Sequence, residues 1–597
     1  MPDKKVLVNY TNKDFNSIKR DLEEHARRYY PDSYKDFSEN SFGSYVLDTV
    51  SYIGDMLSFY LDYQVNESFL ETAVEYENVR RHVRTAGYKY TGRPPAFGTA
   101  TFYVIVPANT SGVGPDFGLI PILKTGTEVQ SDTGTTFVLT EDVDFSNPKN
   151  EIVAARFSDT TGKPTDYAIR AHGQIKSTVL YRTEIEVGNF QKFLRVKVGP
   201  PGIAEIKSVR DSEGHDYYEV DHLAQDVIYI NTTNPNAMAD GVPQIIKPKI
   251  VPRRFVVIQD ETGTYLQFGF GSDEEITTSD ITDPSQIVLR MSGKSFISDS
   301  AFDPSELLGT NTLGVAPANT TMTVLFYQND SDSINVGVGS LKSISVSSME
   351  FPNDQSNRFS SQSSIRSSLE VSNETPIIGN TSLPTSEELR YRTYASRAAQ
   401  MRSVTKNDYE AYIYLMPANF GSVKRASVIN DPSATNRRLS VYVISEDGNN
   451  NLLTANSTLK ENIKQWLNKN KMLNDSIDIY DAKIMNVGFD YEIIVHPSKD
   501  KVEVLNSVQT RLIREMSEKM YIGEPFYLTN IFNIINKVDG VVDTTKVTPI
   551  LKTGTGYSSA PVGIDDIKSE DGTYLKAPRN VIFEIKNFNT DVRGSAK

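Results

Sequence analysis

The run "GHDYYEVDH" is the densest cluster of chemistry-bearing side chains, with His215 and Asp216 close to Asp221 and His222. Imidazole and carboxylate donors together would suit zinc or manganese. The run has no helical phase and no fixed i, i+4 geometry to hold donors in a shell, so a solvated turn between strands is expected. A second pattern is Asp48, Asp55 and Asp62, which recur at sevens. On a helix this spacing sets neighbouring carboxylates about 10 Å apart. Paired acid catalysts sit closer, so a solvated or ion-paired face is expected instead.

Other catalytic patterns are missing. There is no G-x-S-x-G elbow and no H-E-x-x-H, and neither glycine pair (Gly269 with Gly271, Gly337 with Gly339) opens a helix before a Walker lysine. Turn glycines account for both pairs. Cysteine is absent, which removes disulfides, thiolate ligands and thiol nucleophiles. "LKENIKQWLNKNKM" places lysines around the sole tryptophan, but Trp466 falls on the apolar face of that helix and is expected in the core. The residues imply no catalytic set, cofactor or metal, so a non-enzymatic protein is expected.

A chain of 597 residues exceeds a single core, and several domains follow. The hydrophobic share of 38% and charged share of 23% suit a folded chain. A net charge of −14 argues against direct nucleic-acid binding, which relies on clustered Lys and Arg. The start "MPDKKVLVNYTNKDF" lacks a secretory apolar run, and no run of eighteen apolar residues occurs, so no membrane insertion is expected.

The expected fold is multidomain α+β. Residues 1–92 read as an N-terminal helical bundle, with a Thr11–Asp14 capping box at its start. In the segment from Ser41 to about Gln64, Val46, Val50, Ile53, Leu57 and Tyr60 follow a heptad seam. These five are the candidate partner-packing residues. A third helix over about 71–86 ends at Gly87. Residues 93–340 read as a β-rich middle region, with a hairpin across Asp260 to Gly263. Residues 341–384 are rich in serine and asparagine and read as a linker or an irregular excursion. Residues 385–551 read as a C-terminal α/β domain. Its segment "RSVTKNDYEAYIYLM" has a Thr405–Asp408 capping box and an apolar face of Tyr409, Tyr412, Ile413 and Met416. Residues 552–597 read as a tail in which only "NVIFEI" looks like a strand.

Several segments together resemble the baseplate J-like family of contractile-tailed phages, most closely the wedge subunit of T-even-type myoviruses. They are "RRHVRTAGYKYTGRPPAFGTATFYV", "ILKTGTEVQSDTGTTFVLTEDVDF", "YLQFGFGSDEE", "TLGVAPANTTMTVLFY" and "PTSEELRYR…QMRSVTKNDYEAYIYLMPANFGSVKRASV". They run in the family's order from about Asn9 to Val547. Phe270 departs from the pattern, standing where the family often has a small acidic residue. The resemblance implies a structural role in the virion tail baseplate, assembled in the host cytoplasm. Two copies would join other wedge proteins partly through a helical bundle. Six wedges would close around the tail hub and rearrange when contraction is triggered. The rival readings are a tail-associated hydrolase and a receptor-binding tail protein.

Overall fold

The computed structural model describes residues 8–597 except 12, 33–35, 37, 39–40, 89–93, 110–112, 159–161, 234–243, 261, 273–312, 330–333, 355–357, 380–381, 383, 401, 431–437, 448–449 and 560–561. Part of the "TGRPP" break and the acidic end of "FGFGSDEE" therefore lie outside the described residues. The chain has an N-terminal helical region, a β-rich middle and C-terminal mixed α/β elements. It divides into two compact units. The first is Met1–Tyr90, Leu383–Leu415 and Asn470–Met472, and the second is Thr91–Ser382, Met416–Lys469 and Leu473–Lys597.

In the first unit, α1 spans Phe15–Tyr29, α2 Phe42–Glu67 and α3 Tyr76–Thr85. The capping box at α1 is not the expected one. Asp14 is the cap: its carboxylate accepts from the Ser17 N–H at 2.9 Å, while the Ser17 hydroxyl accepts from the Asp14 N–H at 2.9 Å. Thr11 donates instead to Asp62, its N–H to Oδ1 and its hydroxyl to Oδ2, each at 2.9 Å. A carboxylate far away in sequence outcompetes the local cap because it takes both Thr11 donors together.

The helices Ser386–Ala399 and Lys406–Tyr414 belong to this unit, although their sequence position suggests the head of the C-terminal domain. Leu389 completes a small core with Ala73, Val79, Val83 and Tyr88. The Thr405–Asp408 box forms as expected, and Tyr409, Tyr412 and Ile413 are buried.

The second unit opens with a seven-stranded sheet. Its strands lie in the order Leu341–Val346, Glu128–Ser131, Thr136–Leu139, Pro164–Lys176, Phe97–Pro107, Glu370–Ser372, with Glu151–Phe157 also paired to Pro164–Lys176. The serine-rich segment is thus more than a linker, since it supplies two strands of this sheet and the helix Phe359–Ser367. Leu341, Met349, Ile365, Val371 and Ile377 anchor it in the sheet's core. One apolar residue every several positions is enough to bind a polar segment to a core already built by others.

A second seven-stranded sheet runs Val179–Val187, Thr320–Gln328, Glu205–Arg210, Asp216–Glu219, Arg254–Asp260, Gly263–Phe268, Arg195–Gly199, and the hairpin at Asp260 and Gly263 is as expected. Gly269 packs so close to the Leu313 and Gly314 carbonyls that an added Cβ would lie 2.1 Å from each, which explains the glycine structurally.

Among the described residues the C-terminal elements form two four-stranded sheets and a short two-stranded one that pairs Phe526–Tyr527 with Tyr574–Leu575. In the larger core, the helices Lys501–Glu515 and Leu528–Asn536 bring Val504, Val508, Leu512, Ile531 and Ile535 against Phe489, Ile493 and Phe583. The tail belongs to the same sheet: Val592–Ala596 pairs in parallel with Lys483–Val495, beside Val581–Glu584. Gly594 makes that approach possible, because a Cβ there would meet the Tyr491 ring at 2.4 Å. In the helix Ser457–Asn468, Leu459, Ile463 and Leu467 are buried, whereas Trp466 is only half-buried against Phe420.

Candidate partner interface

Helix α2 faces α1 with side chains that are small or polar apart from Leu47. That face carries Ser44, Leu47, Asp48, Ser51, Gly54, Asp55, Ser58, Asp62 and Asn66, of which Ser44, Ser51 and Asn66 are buried. Lys19 of α1 pairs with Asp48 at 2.7 Å, and Gly54 leaves room for Ile18, whose Cδ1 would lie 3.2 Å from an added Cβ. Asp62 also receives the Tyr10 N–H at 3.1 Å, and the Asn66 amide donates to the Val8 carbonyl at 2.9 Å. Two of the three heptad aspartates are therefore ion-paired or hydrogen-bonded structural groups.

At about 100° per residue, the seam Val46, Val50, Ile53, Leu57 and Tyr60 lies on the opposite side of α2. All five are exposed, by 43% to 59% of their surface. Phe42, Tyr45, Tyr52, Met56, Phe59 and Leu61 widen the exposed apolar surface around them. The heptad spacing makes the seam visible in sequence. Its exposure is not visible there, because the chain's own partner, α1, takes the polar side. The usual amphipathic arrangement is reversed, and α2 carries a contiguous exposed apolar surface.

The far end of α2 is held by its last residue. The Glu67 carboxylate accepts the Val74 N–H at 2.7 Å, the Asn78 amide at 2.8 Å and the Glu75 N–H at 3.3 Å. It thus sits at the positive end of α3, which begins at Tyr76. Burial raises its pKa, but the bonds from Asn78, Val74 and Glu75 outweigh burial and hold it below the ordinary range of a glutamate. A depressed carboxyl contributes stability above its unfolded pKa and loses it as pH falls through the folded one. Glu67→Gln is expected to lower the unit's stability by about 1–3 kcal/mol at neutral pH. The gap to the parent should close on acidification below the unfolded value, as read by melting curves across pH.

The histidine-rich run is a turn network. Asp211, Glu213 and His215 bring their ligand atoms within 4.8 Å of one another. Asp211, which the sequence reading did not include, accepts the N–H groups of Glu213 at 3.0 Å and His215 at 2.8 Å and faces the His215 Nδ1 at 3.0 Å. Its oxygens are thus engaged in closing the turn. Asp216 turns to Arg210 at 2.8 Å, and that guanidinium holds its carboxyl below the ordinary range. The Asp221 N–H and the His222 carbonyl are both engaged by Gln225. The four predicted donors do not form one shell.

No helix among the described residues is long and apolar enough to cross a membrane. No curated protein matches the chain by sequence. Among solved structures, one match is to a chain of the cryo-EM structure of the anti-feeding prophage baseplate, symmetrised six-fold. It has 9% identity over 95% of this chain and 90% of that one, with a TM-score of 0.25. The family model described as bacteriophage baseplate protein, N-terminal domain, matches residues 14–85. The segment that carries α1, α2, α3 and the whole exposed seam is therefore similar to the N-terminal domain of bacteriophage baseplate proteins.

Proposed function

We propose that this chain is a structural subunit of a contractile-tail baseplate and works by assembly rather than catalysis. The observation that carries the reading is the exposed apolar seam of α2, which lies inside the segment similar to baseplate N-terminal domains. A seam with heptad spacing is shaped for helices, so its occupant is a partner helix packed knobs-into-holes. A lipid surface fits poorly: the charged residues of α2 are Asp48, Asp55, Asp62 and Glu67, whereas surface-bound helices rely on Lys and Arg.

The finer reading follows the sequence resemblance. Two copies would join other wedge proteins, six wedges would close around the tail hub, and the ring would rearrange when contraction is triggered. Closed rings require repeated, symmetric contacts, which a subunit with several exposed faces can supply. The chain would act in the virion after assembly in the host cytoplasm. The test is co-expression with the proteins of one tail, followed by mass measurement of the purified product. A defined mixed complex containing this chain is expected, and a persistent monomer would overturn the proposal.

A further inference from the structure

The strand Glu151–Phe157 ("EIVAARF") is an outer strand of the first seven-stranded sheet. Its inner edge pairs antiparallel with Pro164–Lys176, setting Glu151 opposite Arg170, Ile152 opposite Ile169, Val153 opposite Ala168 and Ala154 opposite Tyr167. Among the described residues no strand pairs with its other edge. Six of its seven residues are exposed, so neither face is covered, and Val153 and Phe157 are 55% and 61% exposed. A free edge is a row of unpaired backbone donors and acceptors, usually blunted by lysine, proline or a bulge. This strand has neither lysine nor proline, and two register shifts, between Ala154 and Arg156 and between Arg156 and Phe157, bulge only its end.

We propose that a second copy of this chain completes this edge, strand against strand across a two-fold axis. The charges select that occupant. Glu151 stands at one end of the strand and Arg156 near the other, with only Ile, Val and Ala between them. The bulge leaves Ala155 out of the ladder, so Arg156 follows Ala154 and shares a face with Glu151 and Val153, and antiparallel pairing about Val153 sets Glu151 of each copy against Arg156 of the other. Val153 then lies beside Val153 of the other copy, and Ile152 beside Ala154. Both opposite-charge pairs form at once, and no like charges meet. A parallel pairing in register would set Glu151 against Glu151, and it is not the closed two-fold arrangement. Within the chain Arg170 holds Glu151 through Oε2 at 3.0 Å, leaving Oε1 for the second copy. The alternate apolar side chains extend the sheet across the axis, in the mode of strand addition.

This inference stands apart from the α2 seam, and its test removes that seam from the measurement. The full chain carrying Leu57→Asp is examined by sedimentation velocity, alone and with either Arg156→Glu or Glu151→Arg added. The Leu57→Asp chain is expected to dimerise at tens of micromolar. Each added substitution sets like charges together twice per dimer and should weaken association by about tenfold or more. Mixing the two variants restores both opposite-charge pairs, so the mixture should dimerise as well as the parent. That recovery also shows that each variant is folded. A monomeric parent, unweakened single variants, or a mixture no tighter than its components would each overturn the proposal.

Discussion

Leu57→Asp is expected to leave the chain folded and to remove it from the complex it forms with partner proteins. Leu57 lies in the exposed seam and faces away from α1, so a carboxylate there meets only water in the free chain. Surface changes of that kind shift stability by no more than about 0.5 kcal/mol. In a knobs-into-holes contact the same carboxylate would be desolvated without a counter-ion, at a cost of several kcal/mol. A loss of about 3 kcal/mol lowers affinity by roughly a hundredfold, enough to lose the complex in a pull-down. The check is paired: a melting curve that matches the parent, and co-purification with the partner proteins. Retention of the complex at unchanged stoichiometry would refute the role given to α2.

Arg390→Met should destabilise the first unit by about 2–5 kcal/mol, the largest effect expected from a single side chain outside the partner contact. Arg390 is buried, and burial pulls its pKa down. Its guanidinium donates to the carbonyls of Leu70 and Ala73 and to Glu387 at 2.9 Å. Those carbonyls lie in the turn between α2 and α3, so one side chain of the helix Ser386–Ala399 holds that turn. Methionine fills similar space but leaves two carbonyls without these donors, each worth about 1–3 kcal/mol. Lower thermal stability and faster amide exchange in α3 are the expected results. An unchanged melting temperature would show that water replaces the guanidinium at no cost.

Much of the secondary structure was legible because its signals are local. The Thr405–Asp408 cap, the Asp260–Gly263 hairpin and the α2 heptads are each specified within a few residues. The cap at α1 was misplaced because Asp62, some fifty residues downstream, takes the Thr11 donors. The serine-rich segment reads as a linker or irregular excursion, and the tail as turns around one strand at "NVIFEI", because their composition is polar. Their order comes from sparse anchors such as Ile365, Val371 and Val592 entering cores made by distant strands.

Of the candidate site, the five seam residues are legible as a row and the histidine-rich run as a turn, while the part Asp211 plays in closing that turn is not. Asp211 carries no signal of its own, and its role depends on the fold of the backbone around it.

By itself the sequence determined which residues share a face of α2, since helical periodicity is set by covalent geometry. It also determined the types of the main elements and the absence of cysteine chemistry. Only the tertiary structure decided which side of α2 the chain keeps for itself. Hydrophobic patterning predicts the apolar side inward, yet α1 docks on the polar side, where Lys19, Thr11 and Val8 find partners in Asp48, Asp62 and Asn66. Specific hydrogen bonds and an ion pair can hold two helices by a small-residue face, and the apolar side is then left outward, available for association.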